Sequence, residues 1–133
     1  MKDALAVMAG GAIGSLARWF VYAALANFRW AADFPYATLF VNVSGSFGIG
    51  LLAAMLSDEG LLSAPPSIRT LILAGFFGGF TTFSAFSLQT LDLVRSNAWL
   101  EAWLNVLLSI TLGLAAVWLG SHTAHLLSPA SGK

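Results

Sequence analysis

The chain has 133 residues, of which 58% are hydrophobic and 9% are charged, and its formal net charge is zero. Soluble domains carry about 25% charged residues, so this chain has too few charges to keep its whole surface in water. Its mean hydropathy of +0.81 indicates that lipid solvates much of that surface. The neutral charge balance gives no sign of a nucleic-acid partner, and the absence of cysteine excludes disulfides and cysteine metal sites.

Four stretches are long and apolar enough to cross a bilayer, which requires about 20 helical residues. We predict transmembrane helices at residues 4–26, 36–56, 71–91 and 102–119. The first contains a single charge, Arg18, and the other three contain none. Other charged residues fall in the tails and in the predicted connections. The pattern predicts an all-α membrane protein in which residues 1–133 form one four-helix domain.

The N-terminus also fits the start of a secretory signal peptide, because Lys2 precedes an apolar run. That run continues past Arg18 to Ala26 and has glycines inside it, so no plain hydrophobic segment ends at a cleavage site. We therefore favour a transmembrane helix.

The positive charges of the connections are nearly balanced between the two sides of the membrane. With four spans, one side carries Lys2, Arg69 and Lys133, a count of 3, and the other carries Arg29 and Arg95, a count of 2. Orientation follows the asymmetry in Lys and Arg. The chain is therefore predicted either to insert in both orientations or to have its orientation decided by a single residue.

The first predicted helix carries a polar face. Gly11, Gly14, Ser15 and Arg18 share one side at helical spacing, and the glycines allow another helix to approach closely. A charge inside a span costs about 3 kcal/mol on insertion scales and usually marks function or a buried contact. Arg18 is expected either to reach the membrane interface or to lie at a pore mouth.

The second and fourth helices carry polar stripes at spacings of four residues. Thr38, Asn42 and Ser46 form one stripe, and Asn105 and Ser109 belong to the other. The amide of Asn42 needs partners in a lipid environment, so it is expected to face protein or water. Either stripe could bond another helix or line a polar pathway.

The third helix contains residues that weaken it. The pairs Gly78-Gly79 and Thr81-Thr82 predict a break at mid-membrane, and the freed carbonyl groups could bind a cation. Phe83 and Phe86 share a face just beyond this point. Aromatic ring edges carry partial positive charge and could contact a small anion, and ordinary core contacts are the alternative role for the two rings.

The sequence contains no catalytic constellation, so we predict that the chain is not an enzyme. His122 and His125 lie three residues apart near the end of the last helix. Two histidines make an incomplete metal site, and exposed surface histidines are the simpler interpretation.

Three segments of the chain, residues 10–19, 37–47 and 75–87, resemble the signature segments of the Fluc/CrcB family of fluoride channels. The string Gly-Gly-Phe-Thr-Thr-Phe-Ser at 78–84, together with Asn42 in the middle of a helix, is the specific part of this resemblance. The match covers the first three predicted spans in order, and chain length and span number agree.

The resemblance implies an antiparallel, dual-topology homodimer with two pores, which exports cytoplasmic fluoride passively across the cell inner membrane. It implies a structural sodium ion at the dimer centre, held by backbone carbonyls of Gly78 and Thr81 from both subunits. Arg18 would lie near a vestibule. The candidate pore residues are Asn42, Phe83, Phe86, Ser109 and Thr38.

Two other functions fit a four-helix membrane protein. A proton-coupled exporter of organic cations needs a carboxylate inside the membrane, and all six acidic residues fall in tails, connections or span ends. A non-transporting assembly subunit would use its polar residues to bond helices together.

Overall fold

The computed structural model describes residues 1–26 and 34–128, and every regular element within these ranges is helical. Four helical spans are each long and apolar enough to cross a membrane. The first to fourth spans are Lys2–Leu25, Tyr36–Met55, Pro66–Arg95 and Trp99–Leu127. The predicted four-span organisation is confirmed. The predicted connection residues Arg29 and Asp33 and the tail after Ser128 lie outside the described residues.

The third and fourth spans are longer than the predicted ranges 71–91 and 102–119. Hydropathy identifies the apolar part of a span only, because this is the part that must avoid water. Helical hydrogen bonding does not require an apolar side chain, so the helices continue into polar sequence such as Asp92–Arg95.

The spans associate as two pairs, the first with the N-terminal half of the third and the second with the fourth. Glycines lie at both contacts. A Cβ atom at Gly10 or Gly14 would overlap the main chain of the third span, and one at Gly50 or Gly120 would overlap the main chain of its partner helix. Small residues let helix backbones approach this closely in membranes, where dispersion contacts hold helices together.

The third span changes its helical form along its length. It begins as an α-helix at Pro66–Arg69, widens to a π-helix over Thr70–Phe77, and returns to α-helix over Gly78–Phe80. Thr81 and Thr82 then adopt extended backbone conformations, with φ/ψ of −79/158° and −151/111°. The helix resumes at Phe83–Arg95.

The two extended residues, Thr81 and Thr82, are called the interruption. It falls on β-branched residues, whose side chains fit extended backbone better than helix. Gly78 and Gly79, which belong to the region predicted to be broken, are helical. Glycine lowers helix stability without specifying another conformation. The contacts of the folded chain therefore decide where the ladder of backbone hydrogen bonds in the helix opens.

Candidate functional site

Asn42 of the second span binds the interruption through both ends of its side-chain amide. Its Nδ2 donates to the Thr82 carbonyl oxygen at 3.1 Å, and the Thr82 N–H donates to Asn42 Oδ1 at 2.8 Å. In an unbroken helix the Thr82 N–H would bond the carbonyl of Gly78. Asn42 therefore makes the interhelical hydrogen bond that its position in lipid requires. It uses one of its two Nδ2 hydrogens for this bond to Thr82.

Thr82 also begins the C-terminal half of the third span. Its Oγ1 accepts a hydrogen bond from the Ala85 N–H at 3.2 Å, which is the usual N-cap arrangement. Ser84 Oγ lies 3.2 Å from the same oxygen. The new helix therefore starts with its positive end at the interruption, where partial charge from unpaired N–H groups favours an anion.

The polar face of the first span lies against the other side of the interruption. Ser15 Oγ donates to the Gly79 carbonyl oxygen at 3.4 Å, and Arg18 Nη1 donates to the Thr81 carbonyl oxygen at 3.2 Å. Arg18 is half-buried. Two carbonyl groups next to the opened ladder thus receive donors from the first span, and the guanidinium of Arg18 is bound to the protein through Nη1.

A cleft of about 280 Å³ opens beside the interruption, between the second, third and fourth spans. We call it the polar cleft. Its lining residues are Asn42, Ser46, Ile49, Phe77, Thr81, Thr82, Phe83, Phe86, Ser109 and Ile110. Four of the five candidate pore residues are in this set. No charged side chain lines the cleft within the part of the chain that the structure describes.

The two phenylalanines of the cleft differ sharply in exposure. Phe83 is 78% exposed and Phe86 is 9% exposed, although their ring centroids lie only 5.4 Å apart at an interplanar angle of 47°. Phe86 is therefore held in place by this chain alone. Phe83 projects from the rim of the cleft, where one copy of the chain leaves most of the ring uncovered.

The fifth candidate pore residue, Thr38, lies outside the polar cleft. It is 1% exposed, and its Oγ1 lies 2.8 Å from the hydroxyl of Tyr22 in the first span. Tyr22 is not among the predicted site residues, although it is one helical turn beyond Arg18 on the same polar face. Continuing that face by four residues would have found it.

The two polar residues of the fourth-span stripe, Asn105 and Ser109, have different surroundings. Ser109 lines the polar cleft, whereas Asn105 is 1% exposed and donates from Nδ2 to Thr90 Oγ1 at 2.8 Å. Thr90 in turn donates to the Phe86 carbonyl oxygen at 2.8 Å. Asn105 Oδ1 and Gln89 Oε1 are buried and have no hydrogen-bond partner among the described residues. The fourth span thus supports the backbone of Phe86 through one hydroxyl group.

The carbonyl groups of Gly78 and Thr81 fit the chemistry of a hard-cation site. Gly78 is exposed and has no atom within 4 Å of where a Cβ would lie, and its usual ladder donor, the Thr82 N–H, bonds Asn42 instead. The Thr81 oxygen accepts from Arg18 and retains its second lone pair. Carbonyl oxygens are ordinary ligands of hard cations.

The two histidines do not form part of such a site. His122 stacks on Trp118 with ring centroids 5.3 Å apart. Within residues 1–26 and 34–128, no group of three His, Cys, Asp or Glu side chains is placed to hold a metal ion.

These features define a multi-pass membrane protein of four helical spans, with an interrupted third span and a neutral polar cleft beside the interruption. Residues 5–121 match the family model described as "CrcB-like protein, Camphor Resistance (CrcB)". The match covers most of the chain, so the chain belongs to the CrcB family. The resemblance seen in the signature segments is confirmed.

Curated relatives share the name "Fluoride-specific ion channel FluC". The relative from Methylococcus capsulatus is 48% identical over 124 residues, covering 92% of this chain and 53% of the relative. Those from Paramagnetospirillum magneticum and Roseiflexus sp. are 46% and 45% identical, each over 92% of this chain and over 94% and 97% of the relative. The chain thus spans about half the length of the first relative and nearly all of the other two.

Proposed function

We propose that the chain forms a passive, fluoride-selective channel that exports cytoplasmic fluoride across the cell inner membrane. The observation that carries this proposal is the polar cleft, in which Asn42, Phe83, Phe86 and Ser109 come together from three spans. The name shared by the relatives supports fluoride as the ion. Neutral donors suit a channel, because an ion that binds them can also leave them.

Each cleft residue offers a small anion a different partner. The second Nδ2 hydrogen of Asn42 and the hydroxyl of Ser109 donate hydrogen bonds, and the ring edges of Phe83 and Phe86 present positive partial charge. Thr38, one turn before Asn42, would continue the polar path beyond the cleft. Arg18 would add positive charge near a vestibule.

We propose that a second, inverted copy of the chain completes the pathway. One side of the cleft is open and Phe83 is 78% exposed, so one chain does not enclose an ion path. The balanced count of basic residues in the connections supports opposite orientations of the two copies. An isologous contact about a two-fold axis would place the same surface of each chain against the other.

A sodium ion is the proposed cation at the centre of this dimer. The Gly78 and Thr81 carbonyl oxygens of both copies would hold it, since these groups lie at the interruption and their ladder donors are directed elsewhere. When bound, the ion would supply a fixed positive charge beside the anion path. We place the interruption near the middle of the membrane, as expected from the position of residues 81 and 82 within the third span.

Two alternative functions can be distinguished from the channel by a liposome efflux experiment. The proton-coupled exporter lacks support, because none of the cleft-lining residues in the described part of the chain is acidic. The assembly subunit has one supporting observation, since the paired hydrogen bonds of Asn42 with Thr82 would join two helices without any transport.

The deciding experiment is anion efflux from liposomes that contain the purified protein. We expect rapid fluoride efflux and little chloride efflux from the same preparation. Equal efflux of the two anions would contradict the proposed selectivity, and efflux of neither would favour the assembly subunit. Movement of an organic cation driven by a pH gradient would favour the exporter.

A further inference from the structure

Arg18 carries a positive charge that no carboxylate neutralises in the described part of the chain. The other two arginines of that part form ion pairs, Arg69 with Asp58 at 3.1 Å and Arg95 with Asp92 at 3.6 Å. Arg18 has no such partner there and instead donates to the Thr81 carbonyl oxygen at 3.2 Å.

A brace is a side chain that is needed to hold Thr81 and Thr82 in their extended backbone conformation. In that role Arg18 is redundant. Other hydrogen bonds also hold the same two residues, four of them to Phe77 and Asn42. The Thr81 N–H and Oγ1 both donate to the Phe77 carbonyl oxygen, at 3.0 and 2.8 Å, and Thr82 makes the paired bonds with Asn42 at 3.1 and 2.8 Å. These bonds fix both extended residues from the third span itself and from the second span. Loss of the Arg18 bond therefore leaves the geometry of the interruption in place.

As a charge, Arg18 has no substitute at this position. A cation bound to the Thr81 oxygen at a typical distance of about 2.4 Å would lie within about 6 Å of Arg18 Nη1, because both share that oxygen. Two positive charges this close repel each other, and the repulsion doubles when the bound cation is divalent. The two copies of the proposed dimer would each add one such arginine.

We infer that Arg18 determines which cations the carbonyl site accepts, allowing a monovalent ion and excluding divalent ions. The inference rests on the proposed cation site at Gly78 and Thr81 and deepens it. It also predicts the direction in which a substitution of Arg18 changes the affinity for the cation. If Arg18 acted as a brace, its loss would weaken cation binding. Because it acts through its charge, its loss strengthens cation binding.

The test measures thermal unfolding of the purified protein in detergent as NaCl, CaCl₂ or a bulky organic ammonium chloride is added at matched ionic strength. For the wild type we expect stabilisation by Na⁺ and none by Ca²⁺. In Arg18→Gln and Arg18→Met, the Na⁺ concentration for half-maximal stabilisation should fall about tenfold and Ca²⁺ should become stabilising. Arg18→Lys keeps the charge and should behave as wild type. Arg69→Gln, which removes an arginine away from the interruption, is the matched control.

Every outcome either supports the inference or overturns it. An unchanged or weaker response to Na⁺ in the neutral variants, or continued indifference to Ca²⁺, would overturn the inference. Failure of both neutral variants to fold would show that Arg18 is needed as a brace and would overturn it as well. If Na⁺ does not stabilise the wild type, the proposed cation site is wrong and the inference fails with it. Fluoride efflux from liposomes is measured separately, so a failure of this inference can be told apart from a failure of the channel proposal.

Discussion

The side-chain amide of Asn42 and the backbone of Thr82 form a closed pair of hydrogen bonds, 3.1 and 2.8 Å long. The pair joins the second span to the point where the third span loses its helical ladder. A single amide thus accepts from the Thr82 N–H, which the opened helix leaves without its helical acceptor, and donates to the Thr82 carbonyl group. The same amide faces the polar cleft. Structure and proposed ion binding depend on the same side chain.

Replacing Asn42 by Asp separates these two roles. The variant keeps an acceptor for the Thr82 N–H, but it loses the Nδ2 donor and adds a negative charge beside the cleft. We expect fluoride efflux to fall at least about tenfold, since an anion would meet repulsion in place of a hydrogen bond. Asn97→Asp, in the exposed turn between the third and fourth spans, is the control. Normal efflux from Asn42→Asp would show that this amide is structural only.

Phe83→Ile and Phe86→Ile remove the ring edge while they retain apolar bulk. We expect both variants to assemble and to carry less fluoride, because isoleucine offers no positive edge to an anion. Phe86→Ile should also lower the free energy of unfolding by about 1 kcal/mol, since Phe86 is buried. Phe20→Ile, on the exposed face of the first span, is the control for loss of an aromatic ring. Wild-type efflux from both cleft variants would identify the rings as ordinary core residues.

Gly78→Ala tests whether a second copy covers the exposed surface at Gly78. In one chain an added Cβ meets no atom within 4 Å, so the helix should tolerate or even favour alanine. If a second chain lies there, the methyl group should disrupt the contact and shift the protein from dimer toward monomer. Gly113→Ala, whose Cβ would lie 3.7 Å from Ser46 Oγ, is the matched control. The measurement is molecular mass in detergent, and an unchanged dimer would place the interface elsewhere.

Dual topology can be tested with one introduced cysteine, because the chain has none of its own. Glu59 lies exposed in the connection between the second and third spans. In Glu59→Cys, a membrane-impermeant thiol reagent should label part of the population from outside intact cells and the remainder only after the membrane is opened. Labelling of the whole population from one side would refute insertion in two orientations.

The polar residues of the spans show where sequence-based prediction succeeds. Asn42 and Ser109 follow helical spacing on their own spans, and both line the polar cleft. Thr38 shares the stripe of Asn42 and yet bonds Tyr22 of the first span. Periodicity assigns a residue to a face of its helix, but two residues on one stripe can face different neighbours at different depths.

The sequence by itself determined that this protein has four membrane spans, because long apolar stretches with few charges are solvated favourably by lipid and unfavourably by water. It also identified the region in which the third span opens. Only the tertiary structure decided that Thr81 and Thr82, and not the glycines before them, carry the extended backbone. The reason is that an opened ladder needs new hydrogen-bond partners, and Asn42 and Arg18 reach these two residues from other helices. Such partners are distant in sequence, so no local pattern specifies them.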